Sequence, residues 1–240
     1  MMDGSKLKIF IDFDGTITTE DVGDAIFRKF GDPIKTEAII NDLHNDRITS
    51  RQCWDLLCSS IEQIDENELN RFINSLSIDN SFHSFVNFCE DNKIDLFVLS
   101  DGFDYYIKKI LERENLSHLK FFANILDVVN EKLIPKYPFY NPDYPTSANP
   151  KRDHIIDNSS DDDYTIYIGD GNSDKDAAQY CDYIFAKNGL LKFCERERIS
   201  YYPFKNFDDV KTRIKELLSR KRLKKRHQAQ IKRKHAYEAE

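Results

Sequence analysis

The chain has 240 residues, with 42 acidic against 35 basic side chains and a net charge of −7. That length supports one full core plus a smaller accessory unit, and an acidic body argues against nucleic acid as a partner. Five scattered cysteines (Cys53, Cys58, Cys89, Cys181 and Cys194) form no Cys-x-x-Cys pair, so neither a zinc site nor a disulfide framework is suggested. No apolar run approaches a membrane span. Met1 to Lys8 lacks the apolar core of a signal peptide, and a reducing cytoplasm is the expected location.

Lys8 to Ile11 reads as a short buried strand that runs into Asp12-Phe13-Asp14-Gly15-Thr16. The next segments are helical by their apolar spacing: Glu20 to Phe30, a stretch opened by Pro33, a third capped by Thr49 or Ser50, and a fourth near Glu66 to Leu76. Nothing between Glu20 and Ile78 reads as a strand, which predicts an all-helical insert after the first strand. Ser81 to Asn92 is an amphipathic helix, and Ile94 to Leu99 a second core strand ending in a Ser100-Asp101-Gly102 loop. A helix over Phe103 to Arg113 follows, then strand-like pieces at Phe121-Phe122 and Ile125 to Val129 with a turn at Asn130-Glu131. Tyr137 to Pro150 reads as an extended loop, with a helix starting at Pro150-Lys151. Tyr164 to Ile168 is a third core strand, ending in Gly169-Asp170-Gly171-Asn172-Ser173-Asp174. A helix through Ala177 to Tyr180, strands at Tyr183 to Ala186 and Ile199 to Tyr202, and helices at Leu190 to Arg196 and Phe207 to Leu218 complete the body.

Alternating strands and helices predict an α/β fold with a Rossmann-like parallel sheet. In such a sheet the C-terminal strand ends share one edge, where ligands bind. Three acidic or glycine-bearing segments therefore converge: Asp12 to Thr16, Ser100 to Gly102, and Gly169 to Asp174. Asp12 and Asp14 leave a strand end two residues apart, on the same face, and like charges so placed need a cation or a shared proton. A carboxylate is ionised at neutral pH and can attack phosphorus without activation. Asp14 suits the acid and then the base of the two steps. Asp12, Asp14 and Asp170 can hold Mg²⁺. Ser100, with Asp101 and Gly102 at the next helix start, and Lys151 can grip phosphate. Asp174 can orient Lys151 or a metal-bound water, while Asp176 is expected to face solvent.

These motifs, in this order, resemble the haloacid dehalogenase-like phosphatases. Asp12-Phe13-Asp14-Gly15-Thr16 matches the first motif, Ser100 the second, Lys151 the third, and Gly169-Asp170-x-x-x-Asp174 the fourth. The helical insert resembles the cap of the phosphoserine-phosphatase-like branch. Asp182 to Lys187, Leu190-Leu191, Cys194 and Pro203-Phe204-x-x-Phe207 are most similar to the methionine-salvage phosphatases acting on 2-hydroxy-3-keto-5-methylthiopentenyl-1-phosphate. Two features depart from that pattern. Tyr137 to Pro150 has no cysteine, and motif two reads Ser100-Asp101-Gly102 where Ser-Gly-Gly is usual. The resemblance implies Mg²⁺, an aspartyl-phosphate intermediate and a small phosphorylated metabolite. A phosphoserine phosphatase is the alternative, for which Glu20 or Asp21 would supply a cap acid and Arg51 the nearest arginine.

The expected organisation is an α/β core over 1–19 and 79–218, a helical cap over 20–78 and a basic helical tail over 219–240. The tail carries nine Lys/Arg and two Glu, a net +7 that leaves −14 on the rest. It reads as a solvated, partly disordered helix end, with a weak contact to an anionic surface or RNA as the alternative. A non-catalytic binding protein tethered by this tail is the rival from another class. On the enzyme reading, deleting the tail should leave turnover intact.

Overall fold

A computed structural model describes residues 6–239. The chain divides into two compact units, one of residues 1–17, 78–99 and 151–240, the other of residues 18–77 and 100–150. The helical insert expected over 20–78 thus shares its unit with 100–150.

The first unit is a parallel sheet with helices. β1 (Leu7–Asp12) is buried from Ile9 onward. It lies between β2 (Asp95–Phe103) and β5 (Tyr164–Gly169), parallel to both, with Asp12 opposite Leu99 and Ile11 opposite Ile168. β5 pairs in parallel with β6 (Tyr183–Ala186), and β6 with β7 (Tyr202–Pro203). The strand order within this unit is β2-β1-β5-β6-β7, while β3 (Lys120–Val129) and β4 (Lys132–Lys136) form an antiparallel pair in the second unit. The chain leaves β1 to both sides, so the β1/β5 boundary is a switch point of the kind that opens a crevice at the strands' C-terminal ends. The helices of this unit are α5 (Phe82–Asp91), α7 (Lys151–Asp157), α8 (Lys175–Ala178), α9 (Asn188–Arg196), α10 (Phe207–Leu218) and α11 (His227–Ala239). Phe207 of α10 sets its ring 4.8 Å from Phe82 and 5.1 Å from Phe85 of α5. Burial of such large rings is a main source of folding free energy.

The second unit holds α1 (Val22–Phe30), α2 (Pro33–His44), α3 (Ser50–Ser60), α4 (Glu66–Ile73), α6 (Asp104–Arg113), the β3–β4 hairpin and the end of β2. Each of α1 to α4 starts on a capping side chain. Asp21 accepts from Asp24 N, Asp32 from Lys35 N, and Asp65 from Asn67 N and Glu68 N. Thr49 and Gln52 form a reciprocal capping box, and each such cap contributes about 1 kcal/mol. Trp54 of α3 lies 4.9 Å from the Phe103 ring and 5.9 Å from Phe27. A Cβ at Gly23 would fall 2.7 Å from the Trp54 ring, so the close helix contact needs glycine there. The hairpin turns at Asn130 and Glu131, both left-handed (φ 50° and 63°), as a two-residue primed turn requires.

Three expectations need correction. Ser100 to Gly102 is not a loop but the continuation of β2 to Phe103. The backbone stays extended there because its carbonyls have partners: Asn149 Nδ2 donates to Ser100 O, while Asn124 Nδ2 and Trp54 Nε1 donate to Asp101 O. The strand expected over Ile199 to Tyr202 is reduced to Tyr202–Pro203, since Arg198 takes a left-handed turn (φ 54°) and Ile199 N bonds back to Cys194 O. The basic tail is not a solvated end either. Leu223, Ala229 and Arg233 are buried, and Tyr237 donates to Ser159 O.

Candidate active site

The site in the first unit is built where β1 and β5 end. After Asp12 the chain turns through Phe13–Ile17, with Gly15 left-handed at φ 73°. A Cβ at Gly15 would lie 3.0 Å from Asp170 Oδ2, so conformation and space both call for glycine. The turn brings Thr16 Oγ to 3.3 Å of Asp170 Oδ1. Asn188 Nδ2 donates to the other oxygen of Asp170 at 3.2 Å. Gly169 is required for a similar reason: a Cβ there would meet Asp174 Oδ2 at 2.5 Å and the Tyr167 ring at 2.9 Å.

Lys151, the first residue of α7, is buried and uses all three ammonium hydrogens. It donates to Asp12 Oδ1 at 2.5 Å, Asp174 Oδ1 at 2.7 Å and Ser173 Oγ at 3.0 Å. Asp174 is fully buried. Its Oδ1 also accepts from Tyr167 OH at 2.5 Å, and its Oδ2 from the backbone N–H groups of Asp170 and Gly171, each at 2.9 Å. Asp12 is only 3 % exposed, yet its Oδ2 has no hydrogen-bond partner among the described residues. An orphaned buried carboxylate oxygen is rare because its desolvation goes uncompensated.

The electrostatics follow from this crowding. Burial, then the charge of Asp174, pushes the Asp12 carboxyl well above its ordinary value; Lys151 opposes this, while Asp170 and Asp14 add to it. Asp170 is raised by burial and by Asp174, against the pull of Asn188, Lys187 and Lys151. Burial works against the Lys151 charge, but Asp12 and Asp174 outweigh it and hold the ammonium protonated. Tyr167 is raised by burial and by Asp174, and keeps its proton for that bond.

Carboxylate oxygens of Asp12, Asp170 and Asp174 lie within 4.8 Å of one another. The metal set expected from sequence was Asp12, Asp14 and Asp170. Asp14, half-buried, does not join the cluster. The third carboxylate of the cluster is Asp174, with two donors on each of its oxygens. Asp12 has an oxygen without a donor and Asp170 takes only one side-chain donor on each oxygen, so these two have lone pairs to offer. A hard, all-oxygen donor set with an orphaned buried oxygen and raised carboxyls fits Mg²⁺. Asp176 is exposed, as expected.

Ser100, Asp101 and Gly102 lie in the second unit. Ser100 is buried and its Oγ accepts from Gly102 N at 2.9 Å. The Asp101 carboxylate accepts from Ser50 Oγ, from Ser147 Oγ at 3.1 Å and from Asn149 N at 2.8 Å. It ties the start of α3 to the loop before α7. Asp21 is engaged as the α1 cap, and Arg51 stacks over the rings of Tyr137 and Tyr140, at 5.3 and 4.7 Å.

Sequence reading missed Tyr167, Ser173 and Asn188. Tyr167 carried a usable signal, since it shares a strand face with Gly169, two residues before the acidic loop. Asn188 gave none; an asparagine at a helix start reads as a cap.

The family model for haloacid dehalogenase-like hydrolases matches residues 9–179, and the chain belongs to that family. With relatives of this kind it is an enzyme, a phosphoric monoester hydrolase. It is 32 % identical over 218 residues to the 2-hydroxy-3-keto-5-methylthiopentenyl-1-phosphate phosphatase of Bacillus cereus (strain AH820), covering 89 % of this chain and 98 % of that one. The phosphatase of the same name from Bacillus thuringiensis subsp. konkukian (strain 97-27) is 30 % identical over 221 residues, with the same shares of each chain. Among solved structures, a phospho-aspartyl intermediate analogue of phosphoserine phosphatase superposes with a TM-score of 0.68 at 18 % identity, over 88 % of this chain and 99 % of that one. That likeness concerns the fold. No helix among the described residues is long and apolar enough to cross a membrane.

Proposed function

We propose that this protein hydrolyses a small phosphorylated metabolite through an aspartyl-phosphate on Asp12, and that its substrate is 2-hydroxy-3-keto-5-methylthiopentenyl-1-phosphate. The observation that carries the mechanism is the buried Asp12 carboxylate at the end of β1, with one oxygen on Lys151 and the other unpartnered among the described residues. The substrate rests on the relatives' names and on their identity over most of the chain.

In the first step an Asp12 oxygen bonds to phosphorus as the ester P–O bond breaks, and Asp14 gives the leaving alkoxide a proton. In the second step Asp14 takes a proton from water, water oxygen bonds to phosphorus, and the bond to Asp12 breaks to release orthophosphate. One residue serves as acid and then as base. Lys151 and the Ser100 hydroxyl, with the backbone N–H groups of Asp101 and Gly102 beside it rather than the Asp101 carboxylate, hold phosphate oxygens, and Asp174 keeps Lys151 in place. Asp12 and Asp170, with Asp14 nearby in sequence, would hold Mg²⁺, which supplies charge neutralisation for the approach of two anions.

The test is hydrolysis of p-nitrophenyl phosphate. Asp12→Asn is expected to abolish it, and full activity in that variant would sink the mechanism. Chelation with EDTA is expected to remove activity and added Mg²⁺ to restore it; turnover indifferent to EDTA would end the metal role. A panel of phosphorylated metabolites including phosphoserine then ranks substrates by kcat/KM.

A further inference from the structure

α8 has only four residues, and the carbonyls at its end and in the three residues after it also bind two arginines of the tail. Arg226 Nη2 donates to Ala178 O at 2.8 Å and Gln179 O at 2.7 Å, and its Nε to Cys181 O at 2.9 Å. Arg233 Nη1 donates to Tyr180 O. Four successive carbonyls, 178 to 181, thus each receive a guanidinium hydrogen.

Both arginines also close on Asp182. Arg226 N donates to its Oδ1 at 3.1 Å, and Arg233 Nη2 reaches its two oxygens at 3.2 and 3.3 Å. Arg233 is 0 % exposed and adds a bond to Thr165 Oγ of β5 at 3.0 Å. A guanidinium is buried this completely only in a specific seat that offers it acceptors and an opposite charge. At the other end of α8 stands Asp174, the acceptor for Lys151, Tyr167 and the N–H groups of Asp170 and Gly171. Only Lys175, Asp176 and Ala177 separate that hub from Ala178, whose carbonyl is the first the tail holds.

We propose that the C-terminal segment is a brace for the acidic loop over 169–174, with Arg226 and Arg233 as positioning residues that fix α8 and, through it, Asp174 and Asp170. The consequence for metal affinity rests on the functional reading above; the brace itself does not. The test compares the full-length parent with Arg226→Met and Arg233→Lys by amide hydrogen exchange, Mg²⁺ titration calorimetry and thermal melting. Exchange in 169–174 is expected to rise in both variants while that in α5 stays at the parental rate. Mg²⁺ affinity is expected to fall about tenfold, the scale seen when an outer support of a metal ligand is lost. Arg226→Lys, which keeps the charge but loses the fork, serves if the methionine variant does not fold. A lower Tm with parental exchange in 169–174 would overturn the brace. A parent that takes up no Mg²⁺ would instead overturn the metal reading, and the exchange data would still decide the brace.

Discussion

Asp174 shows how much structure one carboxylate can gather. Four donors converge on it, and two of them belong to the backbone of the loop that carries Asp170. Asp174→Asn turns one acceptor into a donor facing donors. We expect a stability loss of about 3–5 kcal/mol, the range for a broken buried ion pair, read as a lowered denaturant midpoint, together with loss of turnover. Gly15→Ala is the milder probe. A non-glycine residue in the left-handed region costs roughly 1–2 kcal/mol, and the added Cβ presses on Asp170. We expect a folded protein whose Mg²⁺ affinity drops more than its Tm; unaltered Mg²⁺ binding would refute the packing argument. At this scale Asp12, Asp170 and Lys151 were legible in sequence because charged residues directly after apolar strands, or at a helix start after a proline, are conspicuous. Tyr167 was hidden, since an aromatic in a buried strand also serves as core. Arg233 was hidden among eight other basic residues of the tail; only its seat separates it from them.

Among elements, β1 and β5 are held by more than their ladder. Lys8 Nζ lies 3.0 Å from Asp163 Oδ2 and donates to Asn158 O at 2.7 Å, and Ser160 N donates to Asp163 Oδ2 at 2.9 Å. Burial alone would raise the Asp163 carboxyl, but Lys8 and Ser160 hold it below the ordinary value. A carboxyl depressed in the folded state stabilises above its unfolded pKa, about 3.9, and that stability is lost as pH falls through the folded value. Asp163→Asn should therefore melt below the parent at pH 7 and approach it below about pH 4; a pH-independent gap would show that the charge is not what matters. Helix starts at this scale read well from sequence because their signals are local: Thr49, one of the two caps expected for α3, is the cap, and Gln52 completes its box. The extension of β2 through Ser100 to Phe103 did not, because Asn124, Asn149 and Trp54, which satisfy its carbonyls, are distant in sequence.

For the whole molecule, the tail changes what a truncation means. A solvated end could be removed without consequence. Deleting 219–240 here strips donors from the carbonyls of 178–181 and leaves Asp182, buried, without its guanidinium partner. We expect the truncated chain to melt well below the parent and to lose p-nitrophenyl phosphate hydrolysis; parental turnover and Tm would show the tail to be dispensable.

The tie at Asp101 bears on transplantation. Its carboxylate binds Ser50 at the start of α3 and Ser147 and Asn149 in the following loop, while Arg51 of the same helix lies against Tyr137 and Tyr140. The helices of 18–77 and the segment 100–150 are thus one exchangeable part, discontinuous in sequence. A chimaera that borrows a relative's helices alone would strand Asp101 among foreign partners, whereas one that borrows both stretches together would carry its own fastening with it.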